Sequence, residues 1–554
     1  MTPAWVRTQL VGADAQIQTP FGSRRLVYAD HVASGRCLQW VEDFIARHVL
    51  PMYANTHTED SATGARMTAL AHDAARRIKA SLGAPGCTLL FCGTGCTAAI
   101  KRLQEILGLV VPEAQRQQPG AGFSTHSPTH LPTHSPTRLP SALRPLVFVG
   151  PYEHHSNEVS WRETSAEVVE LPLDAHGALD LCALRRALHG ARASGRPLIG
   201  SFSAASNVTG ALTDTRAVAR LLHEHGALAF FDFAAAAPHA DIDMRLGAPD
   251  GYDAVFISAH KFVGGPGAPG ILAFDPALYR LRAPSTAGGG TVSYVSRHGH
   301  SFVSDIEQRE DAGTPGTVQR IRAALAFMVK DAVGAATIQR LEDGLIRSAI
   351  ARLRQHPQIQ LLGNLERPRL AILSFLLRGP DGRHLHPRLV TRLLNDLFGI
   401  QSRAGCACAG PYAHRLLGIG EVQADAYRDA VLQGYQAVKP GWTRLNFSYF
   451  IDAAEFDFLL QAIEFIAEHG QRFMPLYRFD WSTGAWQHPR DASQPDLAEL
   501  AAWPPACTGS AEAAPSFQDC LRAAHAMLCT LPGSSAVHSP RPRDVPAGVV
   551  PFCH

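Results

Sequence analysis

The stretches LAFFD at 228–232 and AVFISAHK at 254–261 decide the fold. Each is a short apolar run that ends on a charged or polar group, Asp232 in the first and Ser258 followed by Lys261 in the second. Outward from them the same kind of run recurs at Leu198–Ser203, Leu146–Gly150 and Thr88–Cys92. Between the runs stand helical periods. Met67, Leu70, Ala74, Ile78 and Leu82 mark one, Ile100, Leu103 and Leu107 another, and Val218–His225 a third. Short strands alternating with amphipathic helices predict an α/β fold, a mostly parallel sheet with helices on both faces.

Past residue 310 the pattern changes. Trp442–Phe450 alternates Arg444, Asn446 and Ser448 with Leu445, Phe447 and Tyr449. A helix follows, with Asp452 as its N-cap, Glu455 three residues on and Gly470 just past its expected end. The expected organisation is an N-terminal segment at 20–59 packing with the small domain, a large domain at 60–305, a smaller α+β domain at 306–475 and a largely disordered tail at 476–554. The tail is interrupted by one helix over Phe517–Cys529. Residues 113–145 are rich in Pro, Ser, Thr and His and repeat an octapeptide, THSPTHLP at 125–132 and THSPTRLP at 133–140; such composition cannot offset its ordering entropy. His126, His130 and His134 in it have ligand-like spacing, but a disordered expansion is the better reading, and no metal is expected.

Composition removes whole classes of partner. In 554 residues, 51 Lys and Arg against 49 Asp and Glu leave a net charge of +2, so there is no basic excess for nucleic acid. No apolar run reaches the roughly 18 residues of a membrane span, and the first 30 residues lack the apolar core of a signal peptide. An intracellular, cytoplasmic protein is expected. Eleven cysteines are too dilute for a disulfide scaffold, so each thiol is judged as packing residue, ligand or nucleophile.

Lys261 is the most informative residue. At the carboxyl end of a sheet strand it points to the crevice where α/β proteins bind ligands, although a lone lysine there is most often a solvated charge. Asp232 at the end of a neighbouring run changes that balance. An amine for a Schiff base and a carboxylate to keep a pyridine nitrogen protonated are two requirements of pyridoxal phosphate. A phosphate cup is the third. Gly93, Thr94, Gly95, Cys96 and Thr97 lie between a strand and a helix starting near Ala98, where free N–H groups favour an anion, and Ser258 and His260 add side-chain donors.

With these residues in place the sequence resembles the class V aminotransferases of fold type I, within them the cysteine desulfurase and selenocysteine lyase group. The resemblance runs from about Tyr28 to Gly470. Tyr28-Ala29-Asp30-His31 with Ser34-Gly35-Arg36 is similar to the family's opening segment, and Tyr53-Ala54-Asn55-Thr56-His57 to its first active-site loop, which implies substrate contacts for Asn55 and His57. Glu153-His154-His155-Ser156-Asn157 resembles the block whose first histidine stacks on the cofactor, implying that role for His154. Ser206-Asn207-Val208-Thr209-Gly210 implies that Asn207 faces the phenolic oxygen, and Asp232 through His239 resembles the pyridinium block. Gly288-Gly289-Gly290-Thr291 and Ala312-Gly313-Thr314-Pro315 resemble later blocks; Thr291 is implied to reach a partner subunit's phosphate, hence a homodimer. One departure stands out: Ala235 occupies the place of the family's usual Gln, leaving Asn207 to serve the phenolic oxygen alone.

Arg444 aligns with the arginine that pairs with the substrate carboxylate, a task suited to a bidentate guanidinium. Arg403-Ala404-Gly405-Cys406-Ala407-Cys408-Ala409-Gly410-Pro411 resembles the loop bearing the desulfurase nucleophile, which the spacing from Arg403 makes Cys408. The Cys406/Cys408 pair has three other readings: buried small residues, two ligands of a metal or iron–sulfur site, or a redox pair. The resemblance implies conversion of L-cysteine to L-alanine, with Lys261, His154 and Cys408 as catalytic residues and sulfur held as a persulfide for an acceptor protein. Another class V aminotransferase, epimerase or lyase is the nearest alternative, and a non-catalytic scaffold with the same fold is the third.

Overall fold

The computed structural model describes residues 1–56, 58–111, 144–379, 382–491, 496–497, 514–532 and 539–553. The octapeptide repeat, nearly all of the insertion around it, and His57 lie outside the described residues. The chain divides into two compact units, one of residues 1–11, 32–341 and 366–370, the other of 12–31, 342–365 and 371–554.

The first unit is built on a seven-stranded sheet: β1 Thr88–Cys92, β2 Leu146–Val149, β3 Glu167–Glu170, β4 Leu198–Ser203, β5 Leu228–Asp232, β6 Ala254–Ser258 and β7 Gly270–Phe274, in spatial order β1-β7-β6-β5-β4-β2-β3. From β6 to β3 the neighbours run parallel, and only β7, between β1 and β6, is antiparallel to both. Every residue of β4, β6 and β7 is buried. Burial on both faces is why β6 and β7 read as nearly continuous apolar runs rather than alternations. The principal helices are α1 Ala62–Ser81, α2 Gly95–Ile106, α3 Leu181–Arg192, α4 Thr215–Glu224 and α5 Thr317–Val333. The Ser61 hydroxyl caps α1 by accepting from Gly64 N, and Met67, Ala71, Ala74 and Ile78 form its buried stripe. Helix α2 buries Cys96, Ala99, Ile100 and Leu103 with Phe256, Leu272 and Phe274 from the sheet.

The second unit carries an antiparallel sheet of β8 Ile359–Leu361, β9 Ile372–Leu377, β11 Arg403–Gly405 and β12 Trp442–Asn446, ordered β8-β9-β12-β11. Helices α6 Pro387–Phe398, α7 Ala453–Phe473 and α8 Phe517–Thr530 contribute Leu393, Leu397, Ile463, Phe465, Leu521 and Ala524 to its core. Val27–Tyr28 pairs in parallel with Ile400–Gln401, and a short strand β10, His384–Leu385, pairs in parallel with β13, Phe552–Cys553.

Several expectations give way here. The large unit does not end at 305: α5 packs against α1 and belongs to it, and the segment expected at 20–59 is shared, its first part in the second unit. Gly470 does not end a helix; α7 runs through it to Phe473. A Cβ at Gly470 would lie 2.9 Å from Ile466 and 3.4 Å from Leu385 and Leu393, so the glycine permits close packing. The tail expected to be disordered folds where it is described. Helix α8 starts with a capping box between Ser516 and Asp519, and Phe552 packs edge-on against His386 at 4.5 Å, beside Phe479 and Trp486.

Candidate active site

In the first unit the expected cofactor residues meet at the carboxyl ends of β5 and β6 and at the start of α2. Gly95 has φ +58°, and a Cβ there would stand 2.9 Å from both His260 Cε1 and Ser258 Oγ, so the β1–α2 turn closes onto the loop after β6 only with glycine at this point. Its backbone also passes Gly270, where a Cβ would lie 2.1 Å from the Gly95 carbonyl oxygen. Cys96 N donates to Ser258 Oγ at 3.0 Å. The first turn of α2, which starts at Gly95 rather than near Ala98, carries no acidic side chain, so nothing there opposes an anion at the helix dipole's positive end, although Cys96 N is already bonded to Ser258 Oγ.

Asp232 is 4% exposed, and its Oδ1 accepts from Ala234 N at 2.7 Å. The Cys96 thiol lies in interaction range of Asp232, Ser258 and Lys261 together. Burial pushes that thiol well above its ordinary value, the Asp232 carboxylate adds to the rise, and Lys261 opposes it. Lys261 ends the one-turn helix Ala259–Lys261 directly after β6. Burial, with Lys261 alongside, lowers the pKa of His260, so the imidazole favours its neutral form. Thr97 Oγ1 and Ser156 Oγ are 2.6 Å apart, and His154 Nδ1 accepts from Ser156 N at 3.1 Å, which joins α2 to the loop carrying His154.

Other expected residues stand differently. Asn207 is half-buried in a loop that Ser206 folds, its hydroxyl accepting from Val208 N and Thr209 N at 3.2 Å. Ala235 is buried. Asn55 is exposed. Thr291 is buried and donates its hydroxyl to the Gly288 carbonyl at 2.7 Å, closing its own turn.

Arg444 and Cys408 belong to the second unit. Arg444, on the buried strand β12, sits opposite Arg403 of β11, and Asp30 spans the two guanidinia, Oδ1 to Arg444 Nη2 at 3.1 Å and Oδ2 to Arg403 Nε at 2.9 Å. Burial lowers the Arg444 pKa and Asp30 offsets this; Cys408 lies close enough to contribute. The polar residues of 442–450 face inward, since Arg444, Asn446 and Ser448 are all buried, so the alternation there is not a solvent-facing edge. Ala409 N donates to the Cys406 carbonyl at 3.1 Å, and Ala407 and Cys408 between them have φ of +52° and +56°. Cys406 is half-buried and Cys408 exposed.

Sequence reasoning missed two groups. Glu153, 4% exposed, accepts from Gly150 N, Ser203 N, Ser203 Oγ and Asn157 Nδ2 at 3.1, 2.9, 2.6 and 2.7 Å. Burial, helped by Asp232, outweighs those donors and raises its carboxyl to about 7. Asp30 stood in the quoted opening segment, but nothing in the sequence showed its partners.

A family model described as aminotransferase class-V matches residues 144–425. The chain belongs to the class-V aminotransferase family. Among its relatives, a probable cysteine desulfurase of Halalkalibacterium halodurans is 27% identical over 269 residues, 48% of this chain and 62% of that one. A cysteine desulfurase of Klebsiella pneumoniae is 30% identical over 273 residues, 49% of this chain and 63% of that one. The chain thus spans under two thirds of the length of both. Among solved structures, the apo cysteine desulfurase of Thermococcus onnurineus aligns with TM-score 0.64 at 19% identity, covering 84% of this chain and 98% of that one. A cysteine desulfurase of Escherichia coli aligns with TM-score 0.60 at 22% identity, covering 84% and 98%. The class-V fold, with its mostly parallel central sheet, is therefore shared. No helix among the described residues is long and apolar enough to cross a membrane.

Proposed function

We propose that this class-V protein binds pyridoxal phosphate and desulfurises L-cysteine to L-alanine, with Cys408 taking the sulfur. The observation that carries the reading is the convergence of Lys261, Asp232 and Ser258, at the carboxyl ends of β5 and β6, with the start of α2. That end of the sheet offers an amine, a buried carboxylate and a helix start free of acidic side chains, the three features the cofactor needs. When bound, the cofactor supplies an electron sink that lets the substrate Cα–H bond ionise.

In this reading the α2 N–H groups with Thr97, Ser258 and His260 hold the phosphate, and Asp232 keeps a proton on the ring nitrogen. Asn207 addresses the phenolic oxygen, and His154 covers the ring. The Lys261 amine anchors the cofactor and, once displaced by substrate, takes the Cα proton at Nζ. Arg444, aligned by Asp30, takes the substrate carboxylate, with Asn55 and His57 as further substrate contacts. The Cys408 thiolate attacks the substrate sulfur as the substrate's C–S bond breaks, and holds that sulfur as a persulfide. The assembly is a homodimer in which Thr291 serves the neighbouring site.

The test is incubation with pyridoxal phosphate and L-cysteine, quantifying alanine against total sulfur transferred, beside Cys408→Ser and Lys261→Ala. Equal alanine and sulfur, lost with Cys408→Ser, together with loss of the lysine-bound cofactor absorbance in Lys261→Ala, is the expected result. Cofactor bound without alanine would overturn the substrate assignment. Ala235 favours one second reading, in which the same site transaminates or eliminates from another amino acid; alanine-free turnover of a different amino acid would select it.

A further inference from the structure

The second unit holds a thiol that the proposed reaction leaves idle. Cys406 stands two residues before Cys408 in a turn closed by Ala409 N donating to the Cys406 carbonyl at 3.1 Å. Ala407 and Cys408, its two central residues, both have left-handed φ, as in a type I′ turn, which glycine and asparagine ordinarily fill. Among the described residues only Arg245 joins them as a non-glycine with positive φ. An extended chain would hold residues two apart at about 6.8 Å, the outer edge of the Cα separations of about 4.4–6.8 Å that disulfides span, and a turn shortens that span.

Access to solvent separates this pair from the buried thiols. Cys87 and Cys92 are buried, and burial pushes both thiols up to about 12, which keeps them protonated and inert. Cys406 and Cys408 retain access to solvent, and the Arg444 guanidinium lies within electrostatic reach of Cys408. Sulfur exchange requires thiols that the reacting sulfur can reach.

We propose that Cys406 is the resolving thiol of a Cys408 persulfide, so that the loop discharges its sulfur as free sulfide and closes as a Cys406–Cys408 disulfide. The inference rests on the desulfurase reading for how sulfur reaches Cys408, and it names the product. The Cys406 thiolate attacks the Sγ of Cys408. The new Sγ–Sγ bond forms as the bond from Cys408 Sγ to the outer sulfur breaks, and the outer sulfur leaves with the electron pair as HS⁻. That sulfur is reduced from the sulfane level to sulfide while the two cysteines are oxidised to one disulfide, and the proton lost from Cys406 balances the one hydrosulfide gains. No outside oxidant enters; a dithiol reductant resets the loop for the next cycle.

The experiment charges the full chain by two routes, L-cysteine with pyridoxal phosphate and sodium polysulfide without it. After desalting, released sulfide is followed together with the mass of the tryptic peptide Ala404–Arg415, which contains both thiols. In the wild type the peptide passes from about 32 Da heavier to about 2 Da lighter than the dithiol form, releasing about one sulfide per chain. Cys406→Ser and Cys406→Ala keep the heavier peptide and release sulfide at least about tenfold more slowly until a reductant is added. A wild-type peptide that keeps its extra sulfur as long as the variants do, or takes up none by either route, overturns the proposal. Absence of alanine on the cysteine route sinks the desulfurase reading, while the polysulfide route still decides the loop.

Discussion

Asp30→Asn separates a buried ion pair from a surface one within a single carboxylate. Asp30 is 9% exposed and bridges Arg444, 5% exposed, and Arg403, 53% exposed. The Arg403 arm, half in water, contributes about 0–1 kcal/mol. The Arg444 arm is different, because removing one partner leaves the other charge desolvated, at about 3–5 kcal/mol. The loss therefore comes almost wholly from Arg444. For a unit of about 150–250 residues each kcal/mol moves the melting point by about 2–4 °C, so Asp30→Asn lowers the second unit's transition by about 6–20 °C. Differential scanning calorimetry of the cofactor-free protein measures this, with Arg403→Gln as the control that moves it by less than about 4 °C. Pairing Asp30→Leu with Arg444→Met removes both charges and recovers most of the loss. A melting point unchanged by Asp30→Asn, or a loss in Arg403→Gln as large, refutes the assignment of Asp30 as the buried partner of Arg444.

Three further outcomes follow from the geometry. Gly95→Ala places a Cβ against His260 and Ser258 and forces alanine to a left-handed φ, at about 1–2 kcal/mol, so pyridoxal phosphate binds about 5–30-fold more weakly in a titration; unchanged affinity would show that the turn does not shape the cup. Glu153, with its carboxyl raised from 4.5 to about 7, binds more protons in the folded state than unfolded between those values. The stabilisation from its neutral form is complete below pH 4.5 and is lost by about pH 7. That is a decline of up to about 3 kcal/mol which Glu153→Gln flattens in urea titrations across this range, and a slope kept in the variant assigns it to other groups. Phe552→Ala, which empties the aromatic pocket around His386, destabilises the second unit by about 3 kcal/mol and exposes β13 to limited proteolysis; wild-type resistance to protease in the variant speaks against that docking.

Legibility followed burial and distance along the chain. Thr88–Cys92, Leu198–Ser203, Leu228–Asp232 and Ala254–Ser258 were read at their observed bounds, because buried apolar runs stand out against the polar and turn residues that follow them. Glu167–Glu170 escaped notice because it is a half-buried edge strand with charged ends, and Gly270–Phe274 because the glycines before it read as turn. The order in the tail comes from Phe552 entering an aromatic pocket built by residues far back in the chain, while its prolines advertise the opposite. At the site, Lys261, Asp232, Ser258 and Cys96 were visible because each closes or opens a local element. The Asp30–Arg444 pair joins residues 414 positions apart, and Glu153 depends on donors brought by β4; no local pattern encodes either.

The second unit is assembled from three separated pieces of chain, and this sets a timetable for synthesis. Val27 pairs with Ile400, so the Val27–Tyr28 strand lacks this partner until all of the first unit's chain has been made. At about 5–20 residues per second that interval is roughly 20–75 s. During it Val27 and Ala29, both buried in the finished core, are exposed to water and to any other nascent chain with an unpaired edge. Slower translation of the intervening segment lengthens that window, and a chaperone held at Val27–Tyr28 shortens the exposure without altering the final fold.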